Sequence, residues 1–164
     1  MSTNSAFLQS RSDFSDLLNI LVEDKVRFLV VGGFAVMKYT EPRFTKDLDL
    51  WSDPTPANAA TLFRALRRFG APLRGVAPDY FAVPGNFYQI GAYATRVDIL
   101  TSLSGDLPFD AAWERRQISG LFGAVAVPFI SREDLIFLKR ASGREEDMLD
   151  VKRLERIPRT PKDL

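Results

Sequence analysis

Between Lys46 and Leu50 the chain reads Lys-Asp-Leu-Asp-Leu, and no other stretch constrains the fold as tightly. Strict alternation of polar and apolar residues is the pattern of a β-strand, in which positions i and i+2 project to one face and i+1 to the other. Leu48 and Leu50 make one face apolar, so the strand packs on a core. Asp47 and Asp49 are then held side by side on the opposite face. Like charges at this spacing repel, and one carboxyl titrates upward unless a cation offsets the pair, which points to Mg²⁺ or Mn²⁺. The plainer alternative is an edge strand with a solvated acidic face.

Composition limits the chemistry. The chain has 164 residues, 46% of them hydrophobic and 26% charged, as expected of one ordinary domain spanning 1–164 with a sizeable core. Lys and Arg number 22 against 21 Asp and Glu, so no global field draws it to nucleic acid or membrane. There is no Cys and no His, which excludes disulfides, thiol nucleophiles, imidazole metal ligands and serine triads. Catalysis must use carboxylates, Lys, Arg, Ser, Thr or Tyr, with or without a hard cation. Met1 to Arg11 is polar without an apolar signal core, and no run approaches the roughly 18 apolar residues of a membrane span. The sequence thus predicts a cytoplasmic protein with no membrane partner.

Along the chain, Phe14, Leu17, Leu18, Leu21 and Val22 recur at helical spacing and predict an amphipathic helix over Ser12 to Lys25, with Ser12 as its N-cap. Arg27 to Val31 predicts a buried strand entering a tight turn at Gly32-Gly33, followed by a helix over Phe34 to Tyr39. Asp53-Pro54-Thr55-Pro56 starts a helix that Gly70 closes. Two or three strands are expected from Gly75 to Leu100, the last being Thr95 to Leu100. A short helix over Asp106 to Arg115, a strand pair within Gln117 to Ile130, and two helices from Ser131 to Gly143 and from Arg144 to Arg156 complete the reading. The expected class is α/β (α+β): a mixed twisted sheet of five to six strands flanked by helices, with 1–11 and 158–164 frayed.

Further features bear on the acidic strand. Gly32-Gly33 lies between strand and helix, where free backbone N–H groups can meet phosphate oxygens. Asp98 lies among apolar residues in Arg96-Val97-Asp98-Ile99-Leu100, where its carboxylate can join the first two around a metal pair. In this order, Gly32-Gly33, Asp47-x-Asp49 and Asp98 resemble the signature of the nucleotidyltransferase superfamily with the DNA polymerase β type fold, hG[GS], hDhDh and a later h[DE]h. Lys46 departs from the first apolar position. The resemblance implies that Asp47 and Asp49 bind metal and nucleoside triphosphate, and that Asp98 completes the site and helps activate the acceptor hydroxyl. It also implies that Gly32 and Gly33 present donors to the triphosphate.

Gly32-Gly33-Phe34-Ala35, Arg43-x-Thr45-x-Asp47, and the stretch from Leu138-Lys139 through Gly143-Arg144 to Asp147 and Asp150 look like the small AbiEii-like toxin branch of that superfamily. That resemblance implies a toxin–antitoxin setting with a cognate partner protein, phosphate contacts from Lys139, and support from the later acidic residues. From side-chain chemistry alone, Arg43 is a fork for phosphate, Thr45 a hydroxyl donor, and Lys139 a point charge, each weighed against ordinary structural or surface roles. Arg144 beside Asp147 reads as a helical ion pair. Arg64, Arg67, Arg68 and Arg74 form a local basic cluster, a solvated helix face or a polyanion contact. No P-loop or dinucleotide fingerprint is present. The expected activity is metal-dependent transfer of an NMP group from an NTP such as ATP to tRNA, protein or a small molecule. The alternative is a catalytically silent nucleotide- or partner-binding domain of the same fold.

Overall fold

A computed structural model describes residues 11–45, 47–92 and 95–157. Its order is α1 (Arg11–Glu23), β1 (Phe28–Val31), α2 (Gly32–Tyr39), β2 (Asp47–Ser52), α3 (Pro56–Phe69), a 3₁₀ turn (Pro78–Ala82), β3 (Phe87–Ala92), β4 (Thr95–Leu100), α4 (Phe109–Glu114), β5 (Gln117–Leu121), β6 (Ala124–Phe129), α5 (Arg132–Ser142) and α6 (Glu145–Arg156). The strands form one six-stranded mixed sheet in the order β3-β4-β2-β1-β6-β5. β2 runs parallel to β4 and β1 parallel to β6, while the other neighbours are antiparallel.

Local chemistry accounts for most boundaries. Pro56 opens α3, where its missing N–H costs nothing, and Gly70 closes it at φ 95, a left-handed conformation that a side chain would strain. The Ser131 hydroxyl accepts from the Asp134 N–H at 3.1 Å, so Ser131 caps α5 as its sequence context predicts. α1 starts at Arg11, one residue before the predicted cap. Of the termini expected to fray, 1–11 and 158–164, Arg11 opens α1, and 1–10 and 158–164 lie outside the described residues, as does Lys46. Between Gly75 and Leu100 the chain spends Pro78–Ala82 on a 3₁₀ turn, leaving two strands there.

The core is continuous. Leu48, Leu50, Val97 and Ile99 are buried on one face of the central strands, and α1 packs on α3 and β6. α5 and α6 pack on one another, with α2 against both. The aromatics Phe63, Phe81 and Tyr88 are buried, whereas Phe87 is 48% exposed. Tyr93 lies outside the described residues.

Candidate active site

The acidic strand is interior. β2 lies between β1 and β4, so its carboxylates do not decorate a sheet edge, and the edge-strand alternative is excluded. The parallel register with β4 sets Asp49 opposite Asp98 and Asp47 opposite Arg96. Residues in register share a face, so three carboxylates and one guanidinium converge on the sheet. Asp98 is buried, accepts from Gln89 Nε2 at 3.1 Å, and lies 3.2 Å from Arg96 Nε. Arg96 also pairs with Asp47. Burial, the charges of Asp98 and Asp47, and a hydrogen bond shared with Asp98 together push the Asp49 carboxyl up to about 7 against the opposing pull of Arg96.

The glycines have a steric reason beyond phosphate binding. Gly32 adopts φ 69, and a Cβ there would lie 2.2 Å from Asp49 Oδ2. A Cβ on Gly33 would lie 2.8 Å from Thr45 Oγ1. Only a backbone without side chains at these two positions passes this close to Asp49 and Thr45. α2 accordingly begins at Gly32, two residues earlier than periodicity suggests, and brings its N-terminal N–H groups beside the carboxylates.

The last two helices add a mixed-charge cluster. Lys139 Nζ lies 3.1 Å from Asp147 and 3.0 Å from Asp150, and Arg43 Nη2 lies 3.2 Å from Asp150. Arg144 Nε, on the segment between α5 and α6, meets Asp147 at 2.8 Å, the ion pair its spacing predicts. Burial works to raise the Asp147 carboxyl, but hydrogen bonds from Ser142, Arg144 and Lys139 outweigh it and hold the group below the ordinary carboxylate value. Lys139, Arg43 and Arg144 thus share Asp147 and Asp150, with Glu146 also 3.6 Å from Arg144, on the side of the site that Gly32 and Gly33 border.

Two clefts meet at Asp49. The first, of about 660 Å³, is bordered by Gly32, Gly33, Arg43, Thr45, Asp47, Asp49 and Lys139, so seven of the eight predicted site residues share one cavity. Lys152, Arg153 and Arg156 of α6 extend its basic wall. The second, of about 690 Å³, holds the eighth, Asp98, and shares Gly32, Asp49, Lys139, Arg144 and Asp147 with the first. None of Arg64, Arg67, Arg68 and Arg74 borders either cleft, and Arg68 is paired with Glu23 and Asp24. Arg96 escaped the sequence reading, although its two-residue spacing from Asp98 in a strand was the available signal.

All-oxygen donors suit a hard divalent cation. Arg96, however, already bridges Asp47 and Asp98, and among the described residues no group of three acidic side chains is disposed to hold a metal ion. The donor set fits such an ion in chemistry, and Asp47, Asp49 and Asp98 are the residues that would hold it, with Arg96 now paired with two of them.

The chain belongs to the family described as "Nucleotidyltransferase of unknown function (DUF6036)", which matches residues 12–160. Among solved structures it is similar to the lincosamide antibiotic adenylyltransferase LnuA in its lincomycin-bound crystal structure, at 15% identity and a TM-score of 0.53, over 91% of this chain and 98% of that one. At that identity the likeness is one of fold. No curated protein matches. Neither description names the AbiEii-like branch. Among the described residues no helix is long and apolar enough to cross a membrane.

Proposed function

We propose that the chain transfers an NMP group from an NTP to an acceptor hydroxyl. The observation that carries this reading is the register of β2 with β4, which joins Asp47, Asp49 and Asp98 at the meeting point of a basic cleft and a second, less charged one. The triphosphate occupies the basic cleft, with its oxygens toward the N–H groups of Gly32 and Gly33, the Thr45 hydroxyl, Arg43, Lys139 and Arg144. Phosphate charge there takes over cations now shared with Asp147 and Asp150.

Asp98, on the opposite side of Asp49, accepts the proton of the acceptor hydroxyl. The freed oxygen attacks the α-phosphorus, an O–P bond forms, and the bond to the departing pyrophosphate breaks. Mg²⁺ or Mn²⁺, when held by Asp47, Asp49 and Asp98, supplies the positive charge that offsets these carboxylates and the pyrophosphate. The fold shared with an antibiotic adenylyltransferase supports ATP as donor. A toxin–antitoxin role with a cognate partner is part of this proposal through the resemblance of Gly32 to Leu50 and Leu138 to Asp150.

One observation favours the second reading, a catalytically silent nucleotide-binding domain: Arg96 pairs with two of the three carboxylates, Asp47 and Asp98. Incubation with each α-³²P-labelled NTP, Mg²⁺ or Mn²⁺ and a cell extract decides between them, beside the Asp47→Ala, Asp49→Ala variant. Label that moves only with the wild type establishes transfer. NTP binding without any transfer of label establishes the silent domain.

A further inference from the structure

We infer that the acceptor is a small, non-anionic, hydroxyl-bearing molecule with an apolar face, taken into the second cleft beside Asp98. The inference rests on the nucleotidyltransferase reading and deepens it. Apart from the residues shared with the basic cleft, the second cleft carries one charged side chain, Asp98, and no cation among the described residues. Its remaining wall is apolar, from Phe87, Leu100, Leu103 and Leu135, or small and polar, from Ser102 and Ser104.

Nucleic acid binds through cations that neutralise its phosphates, and the one cation adjoining this wall, Arg96, is already paired with Asp98 and Asp47. The cations at its border are shared with the basic cleft, where the triphosphate takes them. The Arg64, Arg67, Arg68 and Arg74 cluster provides no track leading in, since none of the four borders either cleft. A volume of about 690 Å³ lies within the range of small-ligand sites, roughly 300–1,000 Å³.

The walls are built to hold a shape. Thr101 Oγ1 donates to the Val83 carbonyl at 2.7 Å and accepts from the Asn86 N–H at 2.8 Å, tying the turn before β3 to the end of β4. Gly105, at φ 104, brings the loop after β4 so close to α5 that a Cβ would lie 2.9 Å from Ala141 Cβ. Both walls of the cleft are therefore anchored. Phe87 is held by the β3–β4 pairing at Leu100 and leaves 48% of its surface open, an aromatic face for an apolar ring or chain.

Amide NMR tests this without knowledge of the natural acceptor, using hexyl β-glucoside as an uncharged hydroxylated probe, ATP as donor and total tRNA as competitor. The glucoside is expected to shift Phe87, Ser102 and Leu103, ATP to shift Gly33 and Thr45, and both sets to persist when the two are present together. Phe87→Ala should weaken the glucoside about tenfold while the ATP shifts remain. A glucoside that leaves these amides unmoved, or tRNA that displaces it from them, overturns the inference. ATP shifts absent from Gly33 and Thr45 overturn the nucleotidyltransferase reading instead. With extract and α-labelled ATP, a new labelled species in the small-molecule filtrate, chromatographically distinct from ATP, ADP and AMP and absent with the Asp47→Ala, Asp49→Ala variant, supports the inference, and label in RNA or protein overturns it while leaving NMP transfer standing.

Discussion

Asp49→Asn should stabilise the metal-free protein while disabling its proposed site. The wild-type carboxyl is pushed from its ordinary 3.8 up to about 7, first by burial and then by Asp98 and Asp47, so the fold prefers it protonated. That preference is fully present below pH 3.8 and is lost as pH rises from 3.8 through about 7, because the unfolded chain ionises more readily than the folded one. At about 1.4 kcal/mol per pH unit the full difference is about 4 kcal/mol. Asp49 borders two open clefts and is only half-buried, and screening by water reduces the figure to about 2 kcal/mol.

Asparagine reproduces the neutral form at every pH. Urea unfolding in EDTA should give nearly equal stabilities for wild type and Asp49→Asn near about pH 4, and a variant more stable by about 2 kcal/mol near about pH 8. A variant less stable than wild type at the higher pH, or a difference that does not change with pH, would refute the reasoning. Added Mg²⁺ should narrow the gap by stabilising the wild type alone.

Lys139→Met leaves Asp147 and Asp150 with less compensation in a nearly buried cluster and should cost about 3 kcal/mol in urea unfolding, with Asp147 titrating higher by carboxyl NMR. Gly32→Ala drives a methyl into Asp49 at φ 69, and thermal unfolding should show a loss of about 2 kcal/mol or more. Arg96→Gln removes the cation that pulls the Asp49 carboxyl down, so carboxyl NMR of the metal-free protein should place that group higher than in wild type. An unchanged Asp49 titration would show that Arg96 does not set the field at the site.

The side-by-side placement of Asp47 and Asp49, the burial of Leu48 and Leu50, and the helix boundaries at Pro56, Gly70 and Ser131 follow from the sequence, because each depends on strand periodicity or on a backbone preference a few residues wide. The resemblance carried by the order of Gly32-Gly33, Asp47-x-Asp49 and Asp98 suggested the fold and four of the seven predicted residues that share a cleft, while Arg43, Thr45 and Lys139 followed from their side-chain chemistry and their neighbouring motifs. Tertiary structure alone set Asp98 opposite Asp49, since a parallel β2–β4 pairing joins segments separated by α3 and β3. It also revealed that Gly32 and Gly33 are forced by Asp49 and Thr45, and that Lys139 and Arg43 are held by Asp147 and Asp150. The Phe87 cleft has no local signature at all. Distances across a sheet and charges shared between distant helices arise from packing, and no window of sequence contains both partners.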